Sequence, residues 1–339
     1  MRASTALFLL FLLPHGCAGP GVSQPAPLKH KATGPAPEVL ATYEAWFGHP
    51  RHMSVETVGY SSHDPGAITR QMREAKAMGI SAFVVDWYGD REPFIDQSYA
   101  LMQPLAEKNK FKIAIMYDET NEDDGATDEA IADLTMFHET YLSPKSPGHD
   151  AYLTYEGRPV IFIFPKGWHT DWDKVRALVN TWNPPPLLIQ ENLPGKDASD
   201  FDGFYAWINP GQKGWASDGS NWGEQYLQEF YQTMQSKYPD KIIVGGAWAG
   251  MNDSKASWGL NRHIDARCGQ TWQDTFNYWR KVFPANDPPP FIMVATWNDH
   301  EEGTDIEGGI PTCGKGPAPL SPAASGAQGN PPGSTPAAK

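Results

Sequence analysis

Near-continuous apolar runs recur along the chain, separated by stretches of mixed polarity. They are VLATYEAWF from Val39, ISAFVVDWYG from Ile80, FKIAIMYDE from Phe111, RPVIFIF from Arg158, PLLIQEN from Pro186, GFYAWIN from Gly203, KIIVGGAWAG from Lys241 and PFIMVATWND from Pro290. None alternates strictly, so each reads as a strand covered on both faces, as in parallel sheets. Helical patterns lie between them. In DPGAITRQMREAKAMG, Asp64 sits as an N-cap, Pro65 takes the first helical position, and Ile68, Met72, Ala75 and Met78 recur at helical spacing before Gly79. Residues 94–110, 127–141, 172–182, 222–238 and 270–282 carry further helical patterns. The alternation predicts an α/β fold with a parallel sheet, and eight strands predict closure into a (β/α)8 TIM barrel. The connection after the fifth strand is weakly helical and no full helix follows the eighth, so the barrel is expected to lack a regular last helix. A doubly wound open sheet is the alternative, but no Gly-rich phosphate turn follows the first strand.

The flanking segments read differently. MRASTALFLLFLLPHGCAG, residues 1–19, has one Arg, a short apolar run and small residues, the layout of a signal peptide. It predicts export to the periplasm, the cell surface or the medium, with lipid anchoring at Cys17 as a variant. The run is too short to span a bilayer as a mature helix, and no later segment is long and apolar enough to do so. Residues 20–37 form a Pro/Gly-rich linker and residues 314–339 a Pro/Gly/Ala-rich tail expected to be disordered. The predicted domain is therefore 38–313, near the ~250 residues usual for such a barrel. Once the signal is removed, Cys268 and Cys313 remain, and in an oxidising compartment they are expected to pair.

A formal net charge of −13 argues against nucleic acid and anionic membrane partners. The 13 Trp and 13 Tyr suit a neutral carbohydrate, whose ring faces stack on aromatics while carboxylates and amides take its hydroxyls. The chemistry gathers where a barrel places its active site, at the C-terminal ends of the strands. Those ends carry Tyr43, Glu44 and Trp46; Asp86, Trp87 and Tyr88; Tyr117, Asp118 and Glu119; Gln190 with Glu191; Trp207 and Asn209; Trp248; and Trp297, Asn298, Asp299 and His300. One such carboxylate is an ordinary solvated loop; carboxylates and Trp at most ends converge on one mouth. Glycoside cleavage uses two carboxyl groups, and crowding them keeps one protonated. Asp299 and Glu302, three apart with Gly303 available for a sharp turn, fit that role. Glu301 between them is expected to point elsewhere and Glu307 to be structural. No zinc, P-loop or nucleophile-elbow motif is present, and the acidic stretch 118–129 does not fit an EF-hand, so neither metal nor organic cofactor is expected.

TWNDHEEGTDIE resembles the end of the catalytic barrel in glycoside hydrolase family 99, the endo-α-mannosidases and endo-α-mannanases, whose motif runs N-E-W-H-E-G-T-Q-I-E. It also resembles the W-N-D-x-x-E-S segment of family 71 α-1,3-glucanases. VLATYEAWFG and GYSSHDPGAITRQMREAKAMGISAFVVDWYG add to the similarity. The resemblance implies a (β/α)8 barrel that hydrolyses α-glycosidic bonds. It puts Asp299 in the place of the carboxylate that acts on the sugar's own 2-hydroxyl and Glu302 in that of the general acid, with net retention. The Asp is one methylene shorter than the family 99 Glu, and agrees with family 71, while EEGT agrees with family 99. A non-catalytic carbohydrate-binding protein on a degenerate barrel is the competing expectation, and a structural surface protein a third.

Overall fold

The strands begin where the apolar runs do. In the computed structural model, which describes residues 36–313 apart from Glu122 and Trp168, the barrel strands are β1 (Glu38–Tyr43), β2 (Ile80–Trp87), β3 (Lys112–Asp118), β4 (Arg158–Phe164), β5 (Leu187–Glu191), β6 (Gly203–Tyr205), β7 (Ile242–Ala247) and β8 (Phe291–Val294). Neighbours in the chain pair in parallel, and β8 returns to β1 with Glu38 opposite Phe291 and Ala41 opposite Val294, which closes the ring. The side chains of these strands are buried almost throughout, which is why the runs carry no polar alternation.

Six helices of two turns or more pack outside: α1 (Pro65–Ala77), α2 (Pro93–Asn109), α3 (Ala126–Thr140), α4 (Trp172–Val179), α5 (Glu224–Lys237) and α6 (Gln270–Val282). Asp64 caps α1 by accepting the Gly66 N–H at 2.8 Å, Pro65 opens it, and Gly79 leaves it at φ 87°. Between β5 and β6 there is one 3-10 turn, Ala198–Asp200, and among the described residues no helix follows β8. The long β7–α6 connection carries a small antiparallel hairpin, Met251–Asn252 with His263–Ile264. A disulfide joins Cys268, just ahead of α6, to Cys313, with Cα atoms 5.0 Å apart. Among the described residues no helix is long and apolar enough to cross a membrane. The signal sequence, Cys17, most of the linker and the C-terminal tail lie outside the described residues.

Candidate active site

Side chains alternate in direction along a strand, so each strand end divides between the barrel mouth and the helix layer. Glu44, Asp86, Tyr88, Asp118 and Glu191 face a cavity of about 740 Å³ at the mouth, with Asp299 and Glu302 on the loop after β8. Trp46, Trp207, Trp215 and Trp258 supply aromatic wall, and Trp46 is fixed by stacking on His52 at 4.2 Å between ring centroids.

Residues of the other parity are elsewhere. Tyr43 donates its hydroxyl to Gln71 of α1 at 2.7 Å, Trp87 its indole N–H to Asp96 of α2 at 3.1 Å, and Tyr117 its hydroxyl to Asp133 of α3 at 2.9 Å. These three, expected in the site, fasten strands to helices instead. Gln190 precedes Glu191 and does not line the cavity. Glu119 accepts from the Lys166 N–H and the Thr170 hydroxyl, which makes it a loop clasp. Trp248 is buried with its indole N–H given to the Trp222 carbonyl, and Trp297 packs against Phe83 in the layer outside the strands. His300 turns toward Asp305 and Glu307, at 3.3 and 3.2 Å; burial pulls its pKa down, but the two carboxylates outweigh that and push it up to about 9. Asn298 is a clamp rather than a wall: its amide accepts the Glu44 N–H at 2.8 Å and donates to the Glu44 carbonyl at 3.0 Å.

The loop after β8 is clipped to itself. Thr296 Oγ1 accepts the Asp299 N–H at 2.8 Å, the Thr304 N–H reaches the Asp299 carbonyl at 3.2 Å, and the Thr296 N–H reaches the Thr304 carbonyl at 3.1 Å. Gly303 turns at φ 62° with the Asn252 backbone close by, and the Asn252 N–H donates to the Glu302 carbonyl at 2.8 Å. A side chain there would meet both the strained φ and the hairpin. Glu301 points away to His52 and the Met53 N–H, and Glu307 to Tyr60, Gln71 and His300.

The two carboxyls of this loop have unlike surroundings. Glu302 Oε1 takes the Trp258 indole N–H at 2.8 Å and the Arg262 guanidinium at 3.0 Å. Arg262 is itself anchored on buried Asp253, 2.6 Å away. Asp299 Oδ1 takes the Glu301 and Glu302 N–H groups at 2.9 and 2.8 Å but no cation. Its burial, then repulsion from Glu302, pushes its pKa up to about 8. The rest of the wall is acidic too. Burial and neighbouring carboxylates hold Glu44 and Asp86 well above the usual range. Burial, opposed by Lys166 at 3.2 Å, leaves Asp118 at about 6, and burial with Asp118 lifts Glu191 to about 7.

These protons have a thermodynamic consequence. Between the ordinary carboxylate range and about pH 8 the folded chain holds protons, on Asp299 above all, that the unfolded chain gives up. Their contribution to stability is therefore fully present below the ordinary carboxylate range and is lost as pH rises from there through the folded values. The melting temperature is expected to fall by several degrees from pH 5 to pH 8 in thermal denaturation, and to fall less in Asp299→Asn. A flat profile would contradict the buried, uncompensated Asp299.

Lys166, Arg262, Trp215 and Trp258 were not anticipated. Lys166 follows β4 in a loop and the others come from long connections, where no periodicity marks an inward-facing residue.

Comparison with known proteins agrees with this architecture. An endo-α-mannosidase of glycoside hydrolase family 99 from Bacteroides thetaiotaomicron, solved with bis-tris propane, superposes with TM-score 0.63 at 20% identity, over 80% of this chain and 86% of that one. A second structure of a family 99 endo-α-mannosidase from Bacteroides thetaiotaomicron gives 0.61 at 20% identity, over 80% and 87%. A glycoside hydrolase-like protein gives 0.53 at 13% identity, over 83% and 89%. No curated protein matches by sequence. Glycosyl hydrolase family 71 matches residues 48–311, from the loop after β1 to the segment beyond β8. The chain is a glycosidase and belongs to glycosyl hydrolase family 71.

Proposed function

We propose that this glycosidase is exported and cleaves α-glycosidic bonds in an α-glucan or α-mannan type oligo- or polysaccharide, with net retention, using Asp299 and Glu302. The observation that carries the pairing is the contrast within one loop: both carboxyls line the same cavity, Glu302 with a cation and Asp299 without one. Hydrolysis needs one carboxylic acid and one carboxylate. The surroundings support Asp299 as the acid and Glu302 as the carboxylate, the reverse of the order that the family 99 resemblance implies. Asp299, with Oδ1 occupied by the loop N–H groups, gives its proton from Oδ2 to the departing oxygen. In an α-glucoside the 2-hydroxyl is cis to the departing oxygen, so there Glu302 attacks the anomeric carbon itself, forming an ester that water, giving its proton to Asp299, cleaves. In an α-mannoside the 2-hydroxyl is trans, and Glu302 takes its proton while the 2-oxygen closes on the anomeric carbon as the glycosidic bond breaks. Water then opens that ring, giving a proton to Asp299, while Glu302 returns its proton to the 2-oxygen. The aromatic walls suit sugar faces, and the α linkage is supported by the family and by its endo-α-mannosidase neighbours. Export rests on the N-terminal sequence.

A screen against α-glucans and α-mannans, with the first-formed anomer read by NMR, tests the reading. Release of the α-anomer supports retention; the β-anomer as first product would overturn it; no hydrolysis of either polymer class would overturn the substrate assignment.

Arg262 has a positioning role on this account. Arg262→Gln is expected to lower kcat by about tenfold with KM little changed, because Glu302 loses the cation that fixes its position. Asp253 keeps the Leu260 and Arg262 backbone N–H groups at 2.9 and 2.7 Å, so the hairpin persists. A kcat equal to the parent's in steady-state kinetics would remove the ion pair from the mechanism.

A further inference from the structure

The cavity carries more negative charge than cleavage of a neutral sugar requires. Seven carboxyl side chains line it against three Lys or Arg side chains and two His. Each Lys or Arg is already engaged: Arg51 with Glu92, Lys166 with Asp118 at 3.2 Å and Arg262 with Glu302 at 3.0 Å. Glu44 and Asp86 are left without a cation of their own, at 3% and 4% exposure. Glu44 Oε2 and Asp86 Oδ1 are buried with no hydrogen-bond donor. Burial first, and then the charge of Asp86, pushes Glu44 well above the usual carboxylate range, and burial and then Asp118 do the same to Asp86.

Neither group can leave. Asn298 grips the Glu44 backbone from both sides, and the Tyr88 hydroxyl holds Asp86. Buried carboxyl oxygens without donors are costly, and a fixed pair that lines a cavity retains that cost until a ligand offsets it. A sugar hydroxyl donates one hydrogen and carries no charge. An ammonium group donates three and supplies the positive charge that this wall lacks.

We propose that the Glu44–Asp86 wall is a subsite for a protonated amine, and that the substrate is an α-glycan bearing free amino groups on a sugar next to the one being cleaved. This rests on the glycosidase reading of the same cavity and narrows its substrate class.

The test uses the intact protein and three probes: methyl 2-amino-2-deoxy-α-D-glucopyranoside, its N-acetyl derivative and methyl α-D-glucopyranoside, with the galactose series alongside. Affinities are read by NMR titration in mildly acidic buffer. In at least one series the amine is expected to bind about tenfold tighter than both neutral glycosides, as a buried charge pair contributes. In Glu44→Gln and separately in Asp86→Asn that preference falls below about threefold as the charge partner is lost, while a near-UV circular dichroism spectrum matching the parent's certifies the fold. Equal affinities throughout both series, or a preference that survives both substitutions, would overturn the proposal. Hydrolysis of an unmodified α-glycan without any amine preference overturns the amine subsite alone. Amine preference without hydrolysis of any α-glycan, aminated or not, sustains the subsite and overturns the catalytic roles of Asp299 and Glu302.

Discussion

Glu302→Gln is expected to lower turnover on the polysaccharide by about 10³-fold, within the range removed with a catalytic proton-transfer group. Binding should largely persist. The substituted amide keeps the length of the side chain and an oxygen that can accept from Trp258 and Arg262, now 2.8 and 3.0 Å from Oε1. The loss should be as deep on an α-glycosyl fluoride as on the polymer, because the missing function lies on the sugar side of the bond. Steady-state kinetics on both substrates, with binding by calorimetry, check the prediction. Hydrolysis at the parent rate would remove Glu302 from the chemistry altogether.

Asp299→Asn is expected to separate the two substrates. An Asn at 299 retains an oxygen for the Glu301 and Glu302 N–H groups, so the turn is preserved. What disappears is the proton held on a carboxyl pushed up to about 8 by burial and then by Glu302. Polymer cleavage, which needs that proton on the departing oxygen, should fall by about 10³-fold. Fluoride leaves without protonation, so kcat/KM for it, which reports the steps up to bond cleavage, should stay within about tenfold of the parent, while kcat falls because Asp299 also takes the proton of the attacking water; this is the general-acid signature. The opposite pattern, with the fluoride spared in Glu302→Gln and lost in Asp299→Asn, would restore the roles that the family 99 resemblance implies.

Fold class was legible for a physical reason. A strand covered on both faces has no polar side, so each barrel strand stood out as an unbroken apolar run, and α1 announced itself through Asp64, Pro65 and Gly79. The lack of a helix after β8 among the described residues was legible because no amphipathic pattern follows Trp297. The site was legible at the level of strand ends and less so residue by residue. Tyr43, Trp87 and Tyr117 have the composition of a sugar platform, but their parity turns them to Gln71, Asp96 and Asp133. Asp86 and Asp118, one step before or after, face the cavity. Counting by twos back from each carboxylate would have made that division. Arg262 and Trp258 had no such signal: they reach Glu302 from a hairpin whose docking depends on contacts between distant segments. Asn298 carried the opposite lesson, since an amide at a strand end is as useful for gripping backbone as for holding a hydroxyl.

That grip of Asn298 on Glu44 spans 254 positions of the chain and lies where β8 meets β1. Asp299 and Glu302, the carboxyls proposed to react, thus follow the last strand of the barrel, Glu44 follows the first, and they meet across its seam. Parting those two strands would dismantle the catalytic centre while leaving the remaining strand pairings untouched. Enzymatic activity in this molecule is accordingly a gauge of ring closure, and should vanish under mild denaturation before helical content does.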